Sequence, residues 1–274
     1  MLCYKYMSYE RFLGSITPEG VYLKVSRPCE FNDSFDCYAV VQGKLSNEFL
    51  KDYHNIFIGE NSLYNYSEAN VRFQKSLSMR CFFDPYVRVF SMCDAKRITK
   101  ENEILMWGHY ADNARGVRIE LDINEKIFKP KRIKYGRDPV ILYANKVKNC
   151  DWEKDPYFGK FLKDCLIVKS KAWKYEQELR LIFGVNSEYL KPWTIRDAKR
   201  TADKRNYVLC LDKAMIRGVS FGDAIAEKQK GGIGGVQDVA KSLIENGYKS
   251  TKFKLMFKGD DFSFKECNLL NFRE

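Results

Sequence analysis

Apolar and polar positions along the chain change period several times, and each change marks an element. After the turn signal "SITPEG", Val21, Leu23 and Val25 alternate with Tyr22, Lys24 and Ser26. Successive strand side chains point to opposite faces, so this alternation predicts a half-buried strand. "YVRVFSMCD" (86–94) predicts another. So does "GVRIELD", with Val117, Ile119 and Leu121 on one face and Arg118, Glu120 and Asp122 on the other. "IKYGRDPVILY" reads as extended, and "YVLCLD", "RGVSFG" and "KFKLMFK" as three further short strands.

Between the strands the period lengthens. "ITKENEILMWGHYADNARG" predicts a helix with Thr99 as its N-cap and a stop ending in Gly116. Glu103, Trp107 and Tyr110 fall at i, i+4 and i+7 and share one helical face. "YFGKFLKDCLIV" predicts a helix with Phe158, Phe161, Leu162, Cys165 and Leu166 as its apolar stripe. "VQDVAKSLIENG" predicts a third, and residues 44–80 two more with a loop near "GENSLYNYS". The glycines of "KGGIGGVQD" (230–238) match neither a P-loop nor a dinucleotide fingerprint, so a mobile loop is expected there. No repeat, no low-complexity linker and no regular βαβ alternation is visible. The order predicts an α+β fold, a single domain over 1–274 on a twisted, mostly antiparallel sheet with flanking helices.

The stretch "KAWKYEQELRLIF" (171–183) is the most informative. From 176 onward strand alternation puts Glu176, Glu178, Arg180 and Ile182 on one side and Gln177, Leu179, Leu181 and Phe183 on the other. The residues leave two readings open: a solvent-facing ladder of salt bridges, or charges that line a site. In "MWGHYAD", Trp107 and Tyr110 flank His109, a residue able to act as acid, base or hydrogen-bond donor. This cluster reads either as a buried aromatic stripe or as a stacking surface for a base or nicotinamide ring. "FNDSFD" offers Asn32, Asp33 and Asp36, which can close an Asx-turn as readily as they can serve chemistry.

Composition narrows the classes. No apolar run approaches the ~18 residues of a membrane helix, and the N-terminus lacks a secretory layout, so a soluble, cytoplasmic protein without membrane partners is expected. Nine cysteines form no C-x-x-C pair, and there are two histidines, His54 and His109. No metal centre is therefore predicted, and the cysteines are expected to act as small buried hydrophobes. The formal net charge of +11, with basic runs at "KPKRIKYGR" (129–137) and "RDAKRTADKR" (196–205), suits polyanions, including nucleic acid or a nucleotide.

Taken in order, "YKYMS", "VYLKVSRPCEFNDSFD", "VFSMCD", "EILMWGHYADNARGVRIELD", "KAWKYEQELRLIF" and "IRGVSFGD" resemble the bacterial family called domain of unknown function 2971. The resemblance spans about 4–225, with 226–274 as a C-terminal helix and strand packed on that core. Ser34 stands where the family usually has proline, and Gly108 where serine is common. A weaker similarity of layout is to the ADP-ribosyltransferases, including toxins that modify DNA. That likeness implies NAD as a substrate and Glu178, Glu176 and His109 as catalytic residues. It also implies Tyr4, Tyr6, Asn32, Trp107, Tyr110 and Arg180 as contacts to NAD, with Arg180 on a carboxylate or a phosphate. The expected function is then an NAD-dependent ADP-ribosyltransferase-like enzyme, a bacterial toxin or phage-defence effector acting on nucleic acid or protein. Two alternatives stand beside it: a nucleic-acid-binding or metal-dependent nuclease effector using Asp33, Asp36 and Glu178, and a non-catalytic interaction module.

Overall fold

A computed structural model of the chain describes residues 1–51, 77–151, 153–192, 206–227 and 229–273. The expectations for most of 44–80, for His54 and for the basic run 196–205 fall wholly or mainly outside these residues.

The strands are β1 (Leu2–Met7), β2 (Val21–Val25), β3 (Tyr38–Gln42), β4 (Leu77–Ser78), β5 (Val87–Asp94), β6 (Val117–Asp122), β7 (Lys131–Arg132) and β8 (Lys134–Gly136). They continue with β9 (Val140–Tyr143), β10 (Val168–Ser170), β11 (Glu178–Gly184), β12 (Leu190–Pro192), β13 (Tyr207–Leu211), β14 (Ile216–Phe221), β15 (Lys252–Lys258) and β16 (Phe264–Asn268). The helices described are α1 (Tyr9–Ser15), α2 (Arg80–Phe83), α3 (Lys100–Tyr110), α4 (Glu125–Phe128), α5 (Pro156–Cys165) and α6 (Gly232–Glu245). The α+β expectation is met, and the chain gathers into two compact units, each made of discontinuous segments.

The first unit comprises Met1–Ser26, Val89–Lys131 and Tyr175–Glu274. Its large sheet runs β16-β15-β14-β6-β1-β5-β11-β7. The β1–β5, β1–β6, β6–β14 and β15–β16 pairs are antiparallel. β14 and β15 are parallel and are joined through α6, as a parallel pair requires a crossover. A second sheet, β12-β13-β2, belongs to the same unit. Alternation is realised in β2, where Val21, Leu23 and Val25 are buried. They join Val117, Ile119, Leu121, Leu179, Leu181 and Phe221 in one core. α6 closes that core with Ile233, Val236, Ala240 and Leu243. The glycine-rich segment is thus not a free loop. Gly231 takes the left-handed N-cap position at φ 91, and Gly232, Gly234 and Gly235 lie within the helix, where a side chain on Gly235 would run into the Lys230 carbonyl.

The second unit comprises Arg27–Arg88 and Arg132–Lys174. It holds the sheet β4-β3-β9 and the parallel pair β8–β10. Its helix α5 starts at Pro156, and Asp155 accepts hydrogen bonds from the backbone N–H groups of Tyr157 at 3.0 Å and Phe158 at 3.1 Å. That combination of a capping carboxylate with proline at the first helical position fixes a helix start. The predicted stripe of Phe158, Phe161, Leu162 and Cys165 is buried.

Candidate functional site

The two faces of the large sheet differ in chemistry. Val117, Ile119 and Leu121 of β6 enter the apolar core. Arg118 and Glu120, on the other face, are buried as well. With Ser220 of β14, Lys254 of β15, Glu178 and Arg180 of β11, and Tyr4 and Tyr6 of β1, they make that face polar. Helix α3 covers part of it. Met106 and Trp107 pack there with Tyr6, Cys93 and Met256. Thr99 accepts from the Asn102 backbone N–H at 3.3 Å, so the predicted cap sets where α3 begins.

Glu176 is 4 %, Glu178 5 % and Arg180 1 % exposed, which overturns the solvent-facing ladder. Arg180 donates from Nε to Glu178 Oε1 at 2.7 Å and from Nη2 to Oε2 at 3.2 Å. This two-bond clasp is the strongest geometry for an ion pair. Of the two partners expected of Arg180, a carboxylate or a phosphate, the structure shows the carboxylate. The predicted strand is shorter than alternation implied. A 3-10 segment, Lys171–Glu176, precedes it. Gln177 then takes a left-handed backbone at φ 46, and its carbonyl accepts from the Asp94 N–H at 3.0 Å. Such a conformation in a residue other than glycine stores strain and turns the chain sharply. Glu176 therefore sits on the turn, where the Tyr110 hydroxyl of α3 donates to it.

The end of α3 and this turn are joined twice. Beside the Tyr110–Glu176 bond, His109 Nδ1 lies 2.9 Å from the Tyr175 hydroxyl. His109 is exposed rather than part of the core. Beyond the helix Asp112, Asn113 and Ala114 are all left-handed, at φ 50, 53 and 61. The expected stop at Gly116 has a different cause. Its φ is ordinary, but a Cβ there would stand 2.9 Å from the Ala111 carbonyl oxygen and closer still to that of Met7.

The expected contacts to NAD divide. Trp107 is fully buried, edge-on to Tyr6 with centroids 5.4 Å apart. It is a core residue and cannot form the wall of an open pocket. Tyr6 is buried with it, and burial pushes its hydroxyl well above the ordinary range. Tyr4 is half-buried beneath the Arg118 guanidinium, 4.4 Å from its ring centroid. Tyr110 is half-buried and His109 open, so both remain within reach of a bound ring. Asn32 is exposed but belongs to the second unit, where its loop forms the expected Asx-turn: Asp33 Oδ1 accepts from the Phe35 N–H at 2.9 Å. Asp36 of that loop lies 3.9 Å from the Lys169 ammonium. Among the described residues, no three His, Cys, Asp or Glu side chains stand together as a metal would require.

Sequence reasoning did not find a second charge network of this face. Arg118 bonds Glu103 and Glu266, and reaches Glu120 at 3.2 Å and Ser220 at 3.1 Å. Lys254 lies 2.9 Å from Glu120 and 2.7 Å from Glu266. Burial works to raise the Glu266 carboxyl, yet Lys254 and Arg118 outweigh it and hold it below the ordinary carboxylate range. Burial lowers the Lys5 ammonium, while the carboxylates of Glu178 and Glu176 act the other way. The signal for Arg118 and Glu120 was their shared polar face in "GVRIELD"; alternation does not say what covers a face.

Comparisons with the curated proteins and with the solved structures returned no match. Residues 106–181, which hold Trp107, His109, Tyr110, Arg118, Glu120, Tyr175, Glu176, Glu178 and Arg180, match the family described as protein of unknown function (DUF2971), as the motifs implied.

Proposed function

We propose that the first unit is an ADP-ribosyltransferase-like enzyme with NAD as its substrate. One observation carries the reading. Two carboxylates, Glu176 and Glu178, are buried at the head of one strand, and each is held by a different donor, Tyr110 and Arg180. In the reaction the bond from C1′ of the ribose to nicotinamide breaks, and its electron pair leaves with nicotinamide. Positive charge then develops on C1′ and the ring oxygen. A fixed carboxylate stabilises that charge most when it needs no reorganisation, and the Arg180 clasp fixes Glu178. The acceptor's nucleophile bonds to C1′ and gives its proton to Glu178, while Glu176 orients the acceptor. His109, its Nδ1 engaged by Tyr175, keeps Nε2 for the nicotinamide carboxamide. Water as acceptor would give plain NAD hydrolysis; a nucleic acid or protein acceptor would give the toxin or defence activity implied by the layout.

The test is release of nicotinamide from NAD by the whole chain. Wild type should release it. Glu178→Gln should lower the rate about 100-fold or more, the loss typical of removing one fixed electrostatic group, and should still melt cooperatively. No release by wild type, or an unchanged rate in a folded Glu178→Gln, overturns the proposal.

A further inference from the structure

The second unit carries a surface stripe that the reaction above does not use. Residues 132–174 hold eleven Lys and Arg against five Asp and Glu, an excess of six within a chain whose total is +11. Part of that excess is organised. The Lys146 ammonium lies over two tyrosine rings, 4.9 Å from the Tyr143 centroid and 5.9 Å from that of Tyr157. The Tyr157 side chain is anchored beside Tyr143, whose backbone N–H donates to the Tyr157 hydroxyl at 3.0 Å. Three residues further along α5, Lys160 meets Asp164 at 2.6 Å, and Lys134 of β8 meets the same carboxylate at 3.5 Å. Residues at i and i+3 share a helix face, so these contacts run in one line: Tyr143, Lys146, Tyr157, Lys160, Asp164, Lys134.

Three features set this line apart from an ordinary solvated face. Tyr143 is 39 % exposed, a large ring left open at an edge strand of its sheet. The line carries the three lysines against the one carboxylate of Asp164, which leaves it clearly positive. Rings and ammonium groups also alternate. A positive track with interleaved aromatic faces is what a single-stranded nucleic acid requires: phosphates follow the cations, and unstacked bases lie on the rings. An acidic peptide would use the charge but has no use for the rings.

We infer that this stripe binds single-stranded nucleic acid, with Tyr143 as a base platform and Lys134, Lys146 and Lys160 as phosphate contacts. The inference goes beyond the NAD reaction and stands or falls apart from it, because binding needs no turnover.

The experiment is fluorescence anisotropy of a labelled oligothymidine of about 12 nucleotides, within the span such sites cover, with the whole chain across a salt series. Each phosphate contact contributes about −0.7 to the slope of log affinity against log salt for single strands. Three lysines should therefore give a slope of about −2. Lys146→Gln and Lys160→Gln should each make it shallower by about 0.7. Tyr143→Ala should weaken binding about tenfold, within the range of one lost base stack, and leave the slope unchanged. Tyr143→Phe should retain wild-type affinity. Unchanged melting shows that each variant is folded. No binding at low salt, a slope indifferent to the lysine variants, or equal affinity for a polyglutamate of similar length would overturn the inference.

Discussion

Arg180→Ala is the most informative single perturbation of this protein. The guanidinium is 1 % exposed and makes two bonds to a carboxylate that is itself 5 % exposed. Removing it leaves Glu178 in the interior without the cation that clasps it. Breaking a buried pair from one side costs about 3–5 kcal/mol, because the remaining charge keeps its desolvation cost and loses its compensation. For a chain of this length that is a drop of about 10 °C in melting temperature. Removing both charges is a different experiment. Glu178→Leu with Arg180→Met replaces the pair by apolar groups of similar volume and should melt within about 1 kcal/mol of wild type, since the pair's attraction and its desolvation nearly cancel. Thermal melts of Arg180→Ala, Glu178→Gln and the double variant complete the set. An Arg180→Ala variant that melts within about 2 °C of wild type, a loss of under about 1 kcal/mol, would refute the reasoning, since the pair would then be solvated. The same set bears on function. Glu178→Gln leaves the buried Arg180 guanidinium without its carboxylate and should lose about 3–5 kcal/mol as well, so its nicotinamide release is read well below its melting temperature and compared with that of Arg180→Ala, an equally destabilised variant that keeps the carboxylate.

Two further outcomes follow from geometry. Gly116→Ala should destabilise by about 3 kcal/mol, read by urea unfolding, because its Cβ would meet the backbone oxygens of Met7 and Ala111 and neither can step aside. Acid should weaken the fold through Glu266, whose folded carboxyl is held below the ordinary range by Lys254 and Arg118 against the effect of burial. A depressed carboxyl adds stability above its unfolded value of about 4.3 and loses it as pH falls through the lower folded value. Melts of Glu266→Gln should therefore fall less steeply below about pH 4.3 than those of wild type, and parallel curves would contradict the assignment.

Much of the architecture was legible because local rules and tertiary context agree. β2 and β6 bury the residues their alternation selects, Thr99 caps α3, and α5 buries its apolar stripe. The disagreements have specific causes. Alternation assigned Glu178 and Arg180 to one face but could not say that the face is covered, so a buried clasp resembled a surface ladder. The same gap hid Arg118 and Glu120. Gln177 interrupts the strand by a left-handed turn that no propensity favours for glutamine, which moved Glu176 out of the ladder and onto Tyr110. Trp107 had the right helix face and the wrong depth: spacing placed it beside Tyr110, and only packing against Tyr6 closed it from solvent. The glycines at 231–235 read as a loop on propensity, yet a close approach to Lys230 makes the absence of a side chain an asset at the start of α6.

The central claim is that the polar face of the large sheet, at Glu176 and Glu178, is where NAD reacts. A crystal structure of the Glu178→Gln chain soaked with NAD tests it most directly. The account predicts density for the nicotinamide ribose against Glu176 and the substituted amide at position 178, with the ring beside Tyr110 and His109. NAD seated elsewhere in the first unit, or on the second unit, would contradict it.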